Sequence, residues 1–150
     1  MVRLATRDDV EFLDQHDPLL TREALAEKIG RAEVYVAEDS ERPVGLARFN
    51  YFCDLDPCLT LIFILAPYRR RGFGSELMRY WEQEMADRGH RFVLTTTQAD
   101  EDAQFFYREL GYSDTGSILF PGQAATELVL LKLLRKAKEG QGPRQKKRAM

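Results

Sequence analysis

The stretch Arg69-Arg70-Arg71-Gly72-Phe73-Gly74-Ser75 sets three consecutive cations beside two glycines. It lies between an apolar run, LTLIFIL over residues 59–65, and a segment with helical spacing over residues 75–88. A strand–loop–helix junction with glycines lets backbone N–H groups approach a phosphate without interference from a Cβ. The helix N-terminus adds roughly half a positive charge, and the arginines add more. The chemistry is that of an anion site for a pyrophosphate or a phosphorylated cofactor. The sequence lacks the Gly-Lys-Ser/Thr ending of a Walker loop, and Leu77 interrupts a dinucleotide-type GxGxxG pattern. A basic turn with ordinary glycines remains the alternative reading of these residues.

A second element lies downstream: Ala103-Gln104-Phe105-Phe106-Tyr107-Arg108-Glu109-Leu110-Gly111-Tyr112. Arg69-x-x-Gly72-x-Gly74 resembles the R/Q-x-x-G-x-G/A motif of the GNAT-superfamily N-acetyltransferases. The downstream segment resembles the A-x-x-F-Y-x-x-x-G-F/Y segment of the same family, in the same order. The resemblance covers residues 59–120 strongly and residues 1–58 more loosely. It implies acetyl-CoA as acetyl donor and co-substrate, with no metal. Residues 70–75 would hold the pyrophosphate through backbone N–H groups, with Arg69 opening the motif. The backbone of Ile62, Phe63 and Ile64 would pair with the pantetheine arm. A backbone N–H near Ile64 would polarise the thioester carbonyl.

Attack of an amine on a thioester needs a neutral amine, and a proton helps the thiolate leave. Tyr107 stands at the family's general-acid position, and a phenol of pKa about 10 can supply that proton. The base is not legible. Many relatives carry a Glu on one of the two central strands, whereas here those strands offer Thr60, Thr95, Thr96 and Thr97. Asp54, Asp56 and His16 are the candidates, each also readable as a solvated surface group, and His90 reads as surface. Asp100 replaces an Asn that contacts the cofactor arm in relatives. An ionised Asp cannot donate as that amide does, so capping of the following helix stays open beside a cofactor role.

These groups need elements to carry them. Residues 2–5 suit an edge strand, and Thr6 or Asp8 can cap a helix running to about residue 14. Asp17-Pro18 ends it. Thr21 can cap a helix over 22–29, with Gly30 at its C-terminal cap. Strands are expected over 33–38 and 44–53, with turns at 40–43 and 54–57. The run 59–65 reads as a central strand buried on both faces. Leu77, Met78, Trp81 and Met85 make the apolar stripe of the next helix, which assigns Trp81 to the core. A strand over 92–97 follows, then a helix with Ala103, Phe106 and Leu110 on its buried face. Strands over 117–120 and 126–134 finish the order.

The expected fold class is α/β (α+β). It is a GNAT-like mixed, mostly antiparallel sheet of about seven strands with a central parallel splayed pair, and about four helices. A GNAT-like domain is expected over residues 1–135 and a basic, disordered tail over 136–150.

Composition sets the outer limits. With 150 residues, 44% apolar and 11% aromatic, the chain can bury a core without disulfide or metal. No apolar run suggests a membrane span, and the first residues lack a signal-peptide core, so a cytoplasmic protein is expected. Two cysteines and two histidines are too few for a zinc site at recognisable spacing. Cys53 and Cys58 could face each other across a hairpin, but cytosolic thiols are usually reduced. The net charge of -2 hides a division: residues 132–150 hold eight of the 22 Lys/Arg and one of the 24 Asp/Glu. An acidic body therefore carries a basic tail.

The function expected is acetyl-CoA-dependent transfer to a primary amine, by direct attack in a ternary complex. The acceptor is a small molecule or a protein, and the acidic body favours a cationic one. The alternative is a non-catalytic acyl-CoA-binding or sensing module on the same fold. Nucleic acid is not an expected partner, since no aromatic residues interleave with the tail's cations. No membrane partner is expected, and the chain is read as a monomer or homodimer.

Overall fold

A computed structural model describes residues 1–135. The expected tail, 136–150, lies outside the described residues. Strands β1 (Val2–Leu4), β2 (Val34–Asp39), β3 (Arg42–Phe52), β4 (Asp56–Ile64), β5 (Phe92–Gln98), β6 (Ser113–Ile118) and β7 (Glu127–Leu133) form one sheet in the order β1-β2-β3-β4-β5-β7-β6. Helices α1 (Val10–His16), α2 (Arg22–Gly30), α3 (Phe73–Asp87) and α4 (Ala103–Glu109) complete the fold. The seven strands, the four helices and the parallel β4–β5 pair agree with the expected class. The described chain resolves into two compact units. One comprises Met1–Asn50 and Thr60–Trp81, and the other Tyr51–Leu59 and the residues from Glu82 onward.

In the first unit β2 is antiparallel to β1 and β3, with Val34 opposite Arg48 and Val2 opposite Ala37. Strand side chains alternate between faces, and β2 buries both. Val34 and Val36 join Leu13, Leu25 and Leu46 in one cluster. On the other face Tyr35 stacks on Phe49, and Phe49 lies 5.8 Å from Trp81. Leu77, Met78 and Trp81 are fully buried, as the stripe required. Gly45 is needed for close packing: Ile64 Cδ1 occupies the place a Cβ would take, and the Phe63 carbonyl lies 3.0 Å from it.

Helix starts were legible and one helix end was not. Thr21 accepts from the Ala24 amide at 3.2 Å. Thr6 and Asp9 form a capping box that opens a turn of 3-10 helix (Arg7–Asp9) ahead of α1. Gly30, expected as a cap, lies inside α2, and the left-handed residue is Ala32 at φ 57°. The Glu33 amide donates to Lys28 O and the Ala32 amide to Ile29 O, a Schellman closure. Lys28, in the last turn of α2, donates to the Glu33 carboxylate and the Phe49 carbonyl.

Both hairpin turns are tighter than expected. Ser40-Glu41 and Cys53-Asp54 each have two consecutive positive φ values, the geometry of a two-residue type I′ turn. β4 therefore starts at Asp56, inside the expected 54–57 turn. Its burial differs too. Asp56–Leu59, the stretch that pairs with β5 at Cys58↔Leu94 and Leu59↔Thr95, is buried, whereas Thr60 is exposed and residues 61–64 are half-buried. An unbroken apolar run reports residue type rather than how its strand is covered.

In the second unit β7 lies antiparallel between β5 and β6. β6 is an edge strand, exposed throughout, and replaces the expected strand over 117–120. Its polar residues carry no hydrophobic period, so its pairing is invisible in the sequence. The most buried residue of α4 is Tyr107, one turn from Ala103 and on the same face as the expected stripe.

Candidate functional site

The first unit holds the arginine–glycine loop. Arg70 has φ 58° and Gly72 φ 90°, both left-handed, and nothing lies within 4 Å of where a Gly72 Cβ would stand. The Gly72 carbonyl accepts from the Glu76 amide at 3.0 Å and so opens α3. Phe73, Gly74 and Ser75 form its first turn, where amides have no intrahelical acceptor. The open loop, free amides and helix dipole fit a phosphate.

The three arginines do different work. Arg69 Nε donates to the Ile64 carbonyl at 2.9 Å, and its guanidinium lies 5.8 Å from the Phe63 ring centroid. It ties the end of β4 to the loop. Arg71 sits over the rings of Tyr68 and Phe73 and pairs loosely with Asp39 at 3.7 Å. Arg70 makes no hydrogen bond or ion pair among the described residues. Ile62, Phe63 and Ile64 end β4, and a turn of 3-10 helix over Ala66–Tyr68 joins them to this loop.

His16, a candidate base, stacks on Phe63 with ring centroids 5.1 Å apart and tilts against Phe12. Behind it, Asp17 accepts from the amides of Leu19 and Leu20 and from Arg48, whose Nη1 also donates to Thr60 Oγ1. Burial opposes charge on Asp17, but these hydrogen bonds hold its carboxyl below the usual range. The sequence gives no sign of this pair, whose partners stand 31 residues apart.

The second unit holds Tyr107, only 5% exposed. Burial pushes its phenol above the ordinary range. A hydrogen bond from Thr95 works against that, and Glu101 and Cys58 add to it. Thr95 Oγ1 also lies 3.4 Å from the Leu59 carbonyl. The ring of Tyr112 meets Tyr107 edge-on at 5.8 Å. Tyr112 donates to Glu82 at 3.0 Å, and Lys132 Nζ donates to both Glu82 oxygens at 2.7 and 3.2 Å. A phenol held protonated in a buried polar setting can serve as a general acid. Glu82 and Lys132 carry no mark in the sequence, and Tyr112 stands there only as the last residue of the Ala103–Tyr112 segment. The one available signal was the hydroxyl of Tyr112, which demands a buried partner.

The remaining candidates separate. Asp54 is exposed in its turn, whereas Asp56 is buried. His90, expected at the surface, is half-buried with an Nδ1 that has no hydrogen-bond partner, and burial lowers its pKa despite Asp56 nearby. Asp100 is exposed and does not cap α4, whose N-cap is Asp102. Cys53 and Cys58 are free thiols, one exposed and one buried.

The family model described as acetyltransferase (GNAT) family matches residues 2–112. No curated protein sequence matches the chain. Among solved structures it is similar to Ard1 from Thermoplasma volcanium, with TM-score 0.79 and 16% identity over 91% of this chain and 98% of that one. It is similar to the ribosomal-protein-S18-alanine N-acetyltransferase of Escherichia coli, with TM-score 0.74 and 16% identity over 93% and 97%. A third is the spermidine/spermine N-acetyltransferase SpeG of Vibrio cholerae, with TM-score 0.71 and 15% identity over 89% and 91%. At these identities the likeness is one of fold.

Proposed function

The chain belongs to the acetyltransferase (GNAT) family, and on that premise we propose that it moves the acetyl group of acetyl-CoA to a primary amine by direct attack in a ternary complex. Acetyl-CoA supplies an activated thioester. The amides of residues 72–75 and the unpaired Arg70 hold its pyrophosphate. The backbone of Ile62, Phe63 and Ile64 pairs with the pantetheine arm, and an N–H near Ile64 steadies the developing oxyanion. Asp100 contacts the cofactor arm.

The observation that carries the reading is Tyr107: a buried phenol at the family's acid position, kept protonated by its surroundings. It gives its proton to the departing thiolate. The acceptor is an amine on a small molecule or a protein. Similar folds carry both chemistries, one named for a ribosomal protein and one for spermidine and spermine. The acidic body supports a cationic acceptor.

Thermal shift and turnover test this. Acetyl-CoA at one hundred times its Kd is expected to add about 2.7 kcal/mol of stability. Turnover with a panel of amines, polyamines and peptide N-termini is expected to find an acceptor. Binding without turnover on any amine would favour a sensing module instead, and no shift would sink both readings.

A further inference from the structure

We propose that Glu82 is a positioning residue for Tyr107: it anchors the hydroxyl of Tyr112, whose ring and backbone fix Tyr107 at the end of α4. This deepens the reading of Tyr107 as the general acid and rests on it.

Tyr107 stands in the last turn of a seven-residue helix, too short to hold its own shape. Its place is set by the cap that follows. The Gly111 amide donates to the Arg108 carbonyl at 3.0 Å and the Tyr112 amide to the Tyr107 carbonyl at 3.1 Å, with Gly111 left-handed at φ 98°. That is a Schellman motif, in which the residue after the left-handed one commonly packs on the third from the helix end. Those two residues here are Tyr112 and Tyr107, and their rings meet edge-on at 5.8 Å.

Any apolar side chain would complete such a cap. A tyrosine brings a hydroxyl that is buried with its ring, at 3% exposure, and must be satisfied. It donates to Glu82 Oε2 on α3 at 3.0 Å. Glu82 is itself buried, and a buried carboxylate needs a counter-charge. Lys132 on β7 supplies it, with Nζ 2.7 and 3.2 Å from the two carboxylate oxygens. The same ammonium lies 5.8 Å from the centroid of the Tyr112 ring. All four residues belong to the second unit. Tyr112 is therefore held at its amide, its ring and its hydroxyl.

The anchor also separates the two tyrosines in role. Burial and the Glu82 carboxylate push the Tyr112 phenol up, and its proton is committed to Glu82. Tyr112 keeps its proton, and Tyr107 is the one placed to give one up. Packing alone would hold the Tyr107 ring against an apolar neighbour; the hydrogen-bonded hydroxyl of Tyr112 adds a fixed direction. Rate depends on that direction, because a small misplacement of a catalytic group is costly.

The test measures kcat and acetyl-CoA Kd in the full chain, with the best amine of the panel, at a temperature where each variant is folded. Tyr112→Phe removes the hydroxyl and keeps the ring, and Glu82 keeps Lys132. It is expected to lower kcat about fivefold to tenfold with acetyl-CoA Kd unchanged. Glu82→Met should do the same. Glu82→Gln, which keeps an oxygen to accept from Tyr112, should recover most of that loss. In a Tyr107→Phe background, Tyr112→Phe should lower the residual rate no further, since residues that act through one group are not additive. Wild-type kcat in Tyr112→Phe, beside a slow Tyr107→Phe, would overturn the proposal alone. So would an equal fold-loss in both backgrounds, which marks a general structural effect. Full turnover by Tyr107→Phe would overturn the acid reading and the proposal with it.

Discussion

Arg48 Nε donates to Asp17 Oδ2 at 2.5 Å, and the two side chains are only 6% and 0% exposed. The pair ties the segment after α1 to the middle of β3. Asp17 is fully used, since it also caps the amides of Leu19 and Leu20. Breaking one partner of a buried pair leaves the other charge uncompensated.

Asp17→Asn is therefore expected to destabilise the protein by about 3–5 kcal/mol, read from denaturant unfolding. Asp17's carboxyl is held low in the folded state, by hydrogen bonds that overcome its burial. A depressed folded pKa contributes stability above the unfolded value of about 4, and that contribution is lost as pH falls through the folded value. Wild-type stability should fall on acidification below about pH 4, and the fall should be shallower in the variant. An equal slope in both would remove Asp17 from the acid response.

Tyr107→Phe keeps the ring packed against Tyr112 and removes the proton. Turnover is expected to drop about 10²-fold or more, with acetyl-CoA affinity nearly intact. Steady-state kinetics beside a direct Kd measurement separate the two. A variant as fast as wild type would leave the acid unassigned.

Arg70 and Arg69 should behave differently. Arg70→Gly suits the left-handed backbone at φ 58° and removes the unpaired cation. It is expected to weaken acetyl-CoA binding about fivefold to tenfold and to flatten its salt dependence, with folding stability unchanged or raised by up to about 1 kcal/mol. Arg69→Ala should lower stability, since it cuts the bond to Ile64 O. Equal effects of the two variants on both readouts would contradict this division.

Gly45→Ala adds a methyl group where Ile64 Cδ1 already sits. Overpacking of this kind costs about 1–3 kcal/mol, measurable as a lower Tm. Ile64→Val in the same background trims the clashing atom and should recover part of the loss. A double variant no more stable than Gly45→Ala would show that the backbone near Phe63 O sets the limit.

Much of this protein is determined locally, and the sequence by itself was sufficient there. The caps at Thr6 and Thr21, the stripe through Leu77, Met78 and Trp81, and the Arg69-x-x-Gly72-x-Gly74 junction depend on neighbours within a few residues. Their hydrogen bonds and helical spacing are written in consecutive positions. Turns were legible at 40–43 and 54–57, but their two-residue type I′ form was not, because Ser40-Glu41 and Cys53-Asp54 lack the glycine that usually announces it. β6 escaped because an exposed edge strand needs no apolar alternation.

Only the tertiary structure decided how the charged and hydroxyl groups are spent. Three adjacent arginines look equivalent in the sequence, yet one clamps Ile64, one rests on two aromatic rings and one stays unpaired. Thr95 reads as one of three threonines in a row, yet its hydroxyl is the one that meets the Leu59 carbonyl. Glu82 gains its role from Tyr112 and Lys132, 30 and 50 residues away. A side chain's chemistry depends on its partners and on the water it has lost. Both are set by long-range packing, which no local pattern in the chain records.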